Sequence, residues 1–264
     1  MKCIQVLPIL KHTFSEELTY WTTHDFHVGD LIQVELNHRM IYAIVSSIVS
    51  LSEAKEFIKS REFKIKKINT YTKIDFFSNA FIKACLQVSK YYIRPFGEVL
   101  SEYIPKRVLE DIDAHVAYTE KKVLPTTQRS TPKTIYIQKQ FSDRITYIRT
   151  LQTQYAHICI IVPTDAYKKY IRSNLENAEH ITILTPIDIY ILDEKVFDLC
   201  ILEYAGSEYY RHIRKGFDSR HMVRTYCSLR NLQLIEMDSI LPVYANVPTS
   251  DVVSEHIHLS LIHI

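Results

Sequence analysis

Glycine is almost missing from this sequence. Only Gly29, Gly97, Gly206 and Gly216 occur in 264 residues. A phosphate loop of the GxxxxGK[ST] type needs two glycines five residues apart followed by lysine, because its backbone must wrap closely around the phosphates. No pair here has that spacing, and a GxGxxG dinucleotide fingerprint is excluded on the same ground. Cysteine is sparse as well. Cys3, Cys85, Cys159, Cys200 and Cys227 are odd in number and form no CxxC pair, which argues against a zinc cluster and against a disulfide framework. Most of them sit in apolar runs, where a thiol acts as a small hydrophobe, so the expectation is no metal, no cofactor and a reducing cytoplasm. Long hydrophobic runs are lacking too. None approaches the roughly 18 residues of a membrane span, and "MKCIQVLPIL" is too interrupted for a secretory core, so no membrane partner is expected. Nor does one sign of charge dominate: the formal net charge is +2, and any basic surface has to be local.

What is present is a large apolar fraction, 47%, enough for a real core rather than disorder. Its patterning changes along the chain. From Met1 to about Ile74, short runs rich in β-branched and aromatic residues ("CIQVLPIL", "LTYWT", "LIQVEL", "IYAIVSSIV", "FKIKKINTY") alternate with turns such as "HVGD" and "LNHRM". This spacing predicts a small barrel or sandwich. Phe77, Phe81, Cys85, Val88 and Tyr92 then recur at three and four, one face of a helix. Pro95 and Gly97 end that helix, and "GEVLSEYIP" predicts a short second one. Residues 107–133, charged and then rich in Thr, Pro and Ser, read as a linker. From Thr134, strand-like runs ("TIYI", "HICIIV", "ITIL", "FDLCILE", "LQLIEM") alternate with helix-like ones, with Ser142, Thr164 and Asp218 as candidate N-caps. That rhythm predicts βαβ units and four or five strands of an open, mostly parallel sheet. The fold class is therefore α/β overall: a β-rich domain over residues 1–106, a linker, an open α/β domain over 134–250, and a tail over 251–264. The tail histidines His256, His258 and His263 alternate with Ile and Leu, lack acidic companions, and are assigned no function.

"KYYIRPFGEVLSEYIP", Lys90 to Pro105, carries something more specific. Tyr91, Tyr92, Pro95, Gly97, Glu98, Val99, Leu100 and Pro105 stand where the primosomal protein N′ (PriA) family has a helix ending in Tyr-Tyr, then Pro-x-Gly-[DE]-Val-Leu and a Leu-Pro-like exit. Upstream, "IQVLPIL", "LTYWTTHDFHVGDLIQVEL", "IYAIVSSI" and "FKIKKI" extend the resemblance over about residues 1–105. The family is that of the replication-restart helicase, and its N-terminal domain holds the 3′ end of a nascent DNA strand. The resemblance implies a pocket built from Leu18, Thr19 and Tyr20, where the family has a Phe-Asp-Tyr turn. It adds the loop Val34, Glu35, Leu36 and Asn37, with His38 and Arg39 beside it, and Lys66 in the place of a family lysine on a later strand. Lys64 alternates with apolar residues and, as part of a strand, shares an exposed face with Lys66. Thr19 stands in place of a carboxylate, which weakens the hydrogen bond available to a 3′-hydroxyl.

The second half resembles a degenerate first helicase lobe of the same family, RecA-like in fold. "FDLCILEYAGSEYYR" stands where the family has its Asp-Glu-x-His box, but only Glu203 of that box remains, expected to be a relic capping a strand end. "TIYIQKQFSDRIT" stands in place of a phosphate loop. The family's second lobe, winged helix and zinc element have no counterpart in the sequence. The resemblance thus implies a DNA-binding protein of replication restart that recognises forked, single-stranded or 3′-ended DNA without ATPase activity, with replication-restart proteins as further partners. Two alternatives stay open: a fragment of an ATP-dependent 3′-5′ helicase, and a protein-interaction module.

The charge pattern offers two basic clusters. The first is Lys55, Lys59, Arg61, Lys64, Lys66 and Lys67. It suits phosphates, and equally a strand edge kept basic against aggregation. The second is Arg211, Arg214, Lys215, Arg220, Arg224 and Arg230 beside Tyr209 and Tyr210. It suits single-stranded nucleic acid, or a solvated helix face over core tyrosines. Tyr91 and Tyr92 are expected in the core, and Trp21 fits either setting.

Overall fold

The computed structural model describes residues 2–10, 17–50, 66–68, 77–110, 134–175, 178–212, 216–240 and 252–254. The chain forms two compact units, Met1–Val123 with Asp193–Lys195, and Leu124–Leu192 with Val196–Ile264.

In the first unit, β1 (Lys2–Pro8), β2 (Leu18–Thr22), β3 (Leu31–Leu36), β4 (Arg39–Ser50) and β5 (Lys66–Lys67) form one sheet in the order β3-β4-β1-β2-β5. The pairs β1–β2, β1–β4 and β3–β4 are antiparallel, and β5 joins β2 in parallel. A register shift in β1 between Gln5 and Val6 marks a bulge, which bends a strand and raises its twist. The sheet is curled into a half-barrel. Its two edge strands come so close that Lys66 Nζ on β5 lies 3.0 Å from Glu35 Oε1 on β3. Ile4, Val6, Tyr20, Phe26, Ile32, Val34, Ala43, Val45 and Ile68 fill the concave side. Ile44, between two of these residues, is fully buried too, so both faces of β4 are covered there.

Three helices follow: α1 (Asn79–Tyr92), α2 (Phe96–Tyr103) and α3 (Lys106–Glu110). Ser78 caps α1, its hydroxyl accepting from the Phe81 N–H, and Phe81, Ala84, Cys85, Val88 and Ser89 form the buried stripe. The short α3 buries Val108 and Leu109 at the start of the stretch expected to be a linker. Residues 111–133 lie outside the described residues.

In the second unit, β6 (Thr134–Gln138), β7 (Ile158–Ile161), β8 (Ile181–Leu184), β9 (Leu199–Glu203), β12 (Gln233–Asp238) and β13 (Val252–Ser254) form a sheet in the order β13-β6-β12-β9-β7-β8. Every neighbouring pair is parallel. The described sheet therefore has six strands, more than the four or five expected, and the last comes from the stretch read as a tail. Strands β7 and β9 are buried at every position, as apolar runs without alternation predict. All five cysteines are buried free thiols. Helices α4 (Phe141–Gln152), α5 (Asp165–Asn174) and α6 (Ser219–Leu229) connect the strands, and Arg211–His212 and Phe217–Asp218 pair as a small ribbon, β10 and β11.

The three expected caps divide. Asp218 caps α6, accepting from the Arg220 N–H at 2.9 Å. Thr164 occupies the N-cap position of α5 without a side-chain bond. Ser142 lies inside the first turn of α4, whose N-cap is Gln140.

Candidate nucleic-acid interface

The hairpin β3–β4 turns through two residues, Asn37 and His38, between the register pair Leu36 and Arg39. Both have positive φ, 48° and 62°, as a two-residue primed turn requires. Asn and His are among the non-glycine residues that best tolerate this region. The turn leaves Asn37, His38 and Arg39 exposed. On the far edge, Tyr20 and Lys66 are direct register partners, as are Trp21 and Lys67. Curling of the sheet carries these two edges together.

The meeting point is Glu35. Its backbone carbonyl accepts the Tyr20 hydroxyl at 2.8 Å. Its carboxylate takes the Lys66 ammonium at 3.0 Å and stands 3.7 Å from His38 Nδ1. The hydrogen bond from Lys66, and then its charge, hold the Glu35 carboxyl below its usual range. Tyr20 is pushed upward, by burial first and by the Glu35 charge second, so it is a neutral phenol whose hydroxyl is already spent on the backbone. On the other face of the same strands, Lys67 Nζ sits 5.0 Å from the centre of the Trp21 ring, a cation–π contact at an accessible site.

Of the residues read from sequence, the structure thus gathers Tyr20, Lys66, Asn37 and His38, with Arg39 closing the turn. Leu18, Thr19 and Tyr20 lie on a strand. Side chains alternate across a strand, so Leu18 packs with Tyr20 on the inner cluster while Thr19 points to the opposite face. Lys64 lies outside the described residues. Glu35 was in view only as part of a loop, and its role needs a partner 31 residues away. Chemically, the group offers one carboxylate acceptor, an ammonium, an imidazole, an amide and a guanidinium at an open rim. That set can meet a hydroxyl and a phosphate side by side.

Residues 6–105 match the family model of the 3′DNA-binding domain (3′BD) of PriA. The matched region contains the whole described sheet except the start of β1, together with α1 and α2. It supports a PriA-type N-terminus for this chain, with the Tyr20–Glu35–Lys66 group inside the matched region. No curated protein matches the chain. Among the described residues, no helix is long and apolar enough to cross a membrane, and no cluster of three or more His, Cys, Asp or Glu could hold a metal.

Outside the matched region, Arg211, Arg220 and Arg224 of the second basic cluster are each paired with a carboxylate, so these three form neither an open patch nor a freely solvated helix face. Arg220 is buried on Asp218 and donates to the Ala205 carbonyl. Arg224 makes a two-pronged bond to the buried carboxylate of Glu236 at 2.6 and 2.7 Å. Arg211 pairs with Glu208 at 2.9 Å. Arg214 and Lys215 lie outside the described residues. Tyr210 is a core residue whose hydroxyl donates to the Ile161 and Glu203 carbonyls, whereas Tyr209 is exposed.

Glu203, expected to cap a strand end, is instead half of a buried ion pair. It ends β9 and receives Arg144 Nε at 2.7 Å, both side chains being fully buried. Arg144 stands in the first turn of α4. Its Nη1 also donates to the Lys139 carbonyl at 2.7 Å and to Ser239 Oγ at 2.9 Å. Its guanidinium lies 5.1 Å from the Tyr204 ring centre and 5.7 Å from that of Phe141. Burial pushes the Glu203 carboxyl up to about 7, against the opposing pull of Arg144. The carboxyl ends of parallel strands are where open α/β sheets bind ligands. At this one, the ends of β6, β9 and β12 close around an arginine.

Proposed function

We propose that this chain binds the 3′ end of DNA at branched or tailed structures, as a replication-restart factor, and hydrolyses no ATP of its own. The observation that carries the reading is the convergence of Tyr20, Glu35 and Lys66 within the region matching the 3′BD. Glu35 offers a charge-assisted acceptor to a terminal hydroxyl, taking over the part of the carboxylate missing at Thr19. Lys66, His38 and Arg39 face the neighbouring phosphates, and Tyr20 fixes the rim by tying β2 to the Glu35 backbone. Opening of the Lys66–Glu35 pair by DNA costs little, because an exposed ion pair is weak and screened by salt.

The second unit serves in this reading as a RecA-like lobe that has lost its nucleotide chemistry. A triphosphate with Mg²⁺ needs a backbone cradle, a lysine and an acidic pair. The segment Lys139–Arg144 after β6 contains no glycine, and the one carboxylate at the end of β9 is bonded to Arg144.

Fluorescence anisotropy with the full chain tests the first part. Forked or 3′-tailed duplex ending in a 3′-hydroxyl should bind about 10-fold tighter than the same DNA ending in a 3′-phosphate, a difference of about 1.4 kcal/mol. Glu35→Gln should erase most of that ratio, and Lys66→Ala should weaken all substrates by a similar factor while lowering the salt dependence by about one phosphate contact. Equal affinity for hydroxyl, phosphate and blunt ends would overturn the assignment. Phosphate release from ATP should stay at background with and without forked DNA, and turnover stimulated by the fork would restore the helicase reading.

A further inference from the structure

The C-terminus of α1 is built against local preference. The chain leaves the helix through Ile93, at φ 52° and ψ 51°, with the Ile93 N–H donating to the Lys90 carbonyl at 3.4 Å and the Arg94 N–H to the Ser89 carbonyl at 2.9 Å. This is the paired-bond helix stop whose left-handed position is normally glycine or asparagine. A β-branched residue there is a genuine outlier. Burial does not offset the strain, since Ile93 is 91% exposed. Beside it, Tyr91 is 68% exposed, which corrects its expected place in the core, and stands edge-on to Tyr92 at 4.8 Å.

The charges on α1 and at its exit have one sign. Helix α1 contains no Asp or Glu. Its solvent-facing stripe runs through Lys83, Gln87, Lys90 and Tyr91, and Arg94 follows the turn. Strained residues kept by a fold point toward function, and exposed aromatics framed by cations suit unpaired nucleobases.

We propose that Tyr91 and Ile93 form a second DNA contact of the 3′BD, a stacking platform and wedge for unpaired bases of a single strand, with Lys83, Lys90 and Arg94 on its phosphates. The proposal rests on the DNA-binding reading above and adds a site distinct from the Glu35–Lys66 rim. Tyr91 presents its ring to a base, and Ile93 blocks continued stacking past the helix end. The cations give sequence-independent affinity that falls with salt.

The test compares a 3′-tailed duplex carrying bases with one carrying abasic sites in the tail. Wild type should bind the abasic tail about 10-fold more weakly, within the range for one lost stacking contact. Tyr91→Ala should lose a similar factor on the intact tail and nothing further on the abasic one. Ile93→Gly should weaken intact-tail binding several-fold while raising the unfolding midpoint by roughly 3 °C, because glycine removes the left-handed strain. Gain in stability with loss of binding is an outcome that damage to the fold cannot produce. Unchanged affinity of both variants, in a wild type that still prefers 3′-hydroxyl ends, overturns the platform and leaves the rim assignment standing. A wild type indifferent to DNA overturns both.

Discussion

Replacing Glu203 by leucine is expected to destabilise the protein by about 3–5 kcal/mol at pH 8, where the carboxyl is ionised, because a buried guanidinium then lacks its anion. Replacing Arg144 by methionine should cost less. The reason is an asymmetry between the two ions: a stranded carboxyl can take up a proton, whereas an arginine cannot release one at accessible pH. Glu203, already held near 7 by burial, is close to that neutral state. The double variant, Arg144→Met with Glu203→Leu, should return to within about 1 kcal/mol of wild type, since apolar replacement of a buried pair is often neutral or stabilising. The pH dependence has a definite sign. A carboxyl whose pKa is higher in the folded than in the unfolded state binds its proton more tightly when folded. Its contribution is most favourable below about 4.5 and is lost as pH rises through about 7, by roughly 3 kcal/mol. Urea denaturation of wild type and the three variants at pH 5 and pH 8 measures all of this. A Glu203→Leu protein as stable as wild type would show that the pair does not hold the sheet's end together.

Much of the fold is legible in the sequence where local pattern is strong. Runs such as "HICIIV" and "DLCILE" are apolar without alternation because both faces of β7 and β9 are covered. The stripe through Phe81, Cys85 and Val88 predicts α1 because only one side of that helix is buried. Pairing across the chain is what a linear reading lacks. Arg220 and Arg224 count as surface charge in sequence, yet each is satisfied by a carboxylate, and Glu236, the partner of Arg224, lies on another element. Arg144 is 59 residues from Glu203, and nothing in "FSDRIT" distinguishes it from a solvated helix residue. At the Glu35–Lys66 rim, Tyr20 and Lys66 are legible in the sequence as residue types. Glu35 became a site residue only when the curl of the sheet brought β3 to β5. Tyr91, expected in the core beside Tyr92, sits to one side of the buried stripe and is exposed.

Gly97→Ala should be the most disruptive single change in the first unit, with an expected loss of about 3 kcal/mol or more, in the range of severe overpacking. In a helix, alanine is ordinarily the better residue by about 1 kcal/mol, so the expected sign reverses the usual preference. The cause is space, not backbone torsion. A Cβ at Gly97 would lie 2.2 Å from the Pro8 carbonyl oxygen and 3.4 Å from its carbon, and that oxygen belongs to a strand held on both sides by the sheet. Relief therefore requires α2 to lift off β1, which would uncover Phe96, Val99, Leu100 and Tyr103, the buried face of α2. This gives the physical reason for glycine in "PFGEVL": the helix rests its second residue directly on a backbone carbonyl. Because α2 follows the Ile93 turn after only two residues, lifting it also displaces Tyr91. Gly97→Ala is accordingly expected to weaken binding to tailed DNA along with the loss of stability. Gly206→Ala should be milder, since its Cβ would meet the Asp238 side-chain oxygen at 2.9 Å and the Ile240 carbonyl oxygen at 3.0 Å, contacts far less severe than the one at Pro8. Thermal and denaturant melts of the two variants separate these cases, and a Gly97→Ala protein that melts with wild type would mean that α2 does not sit on Pro8.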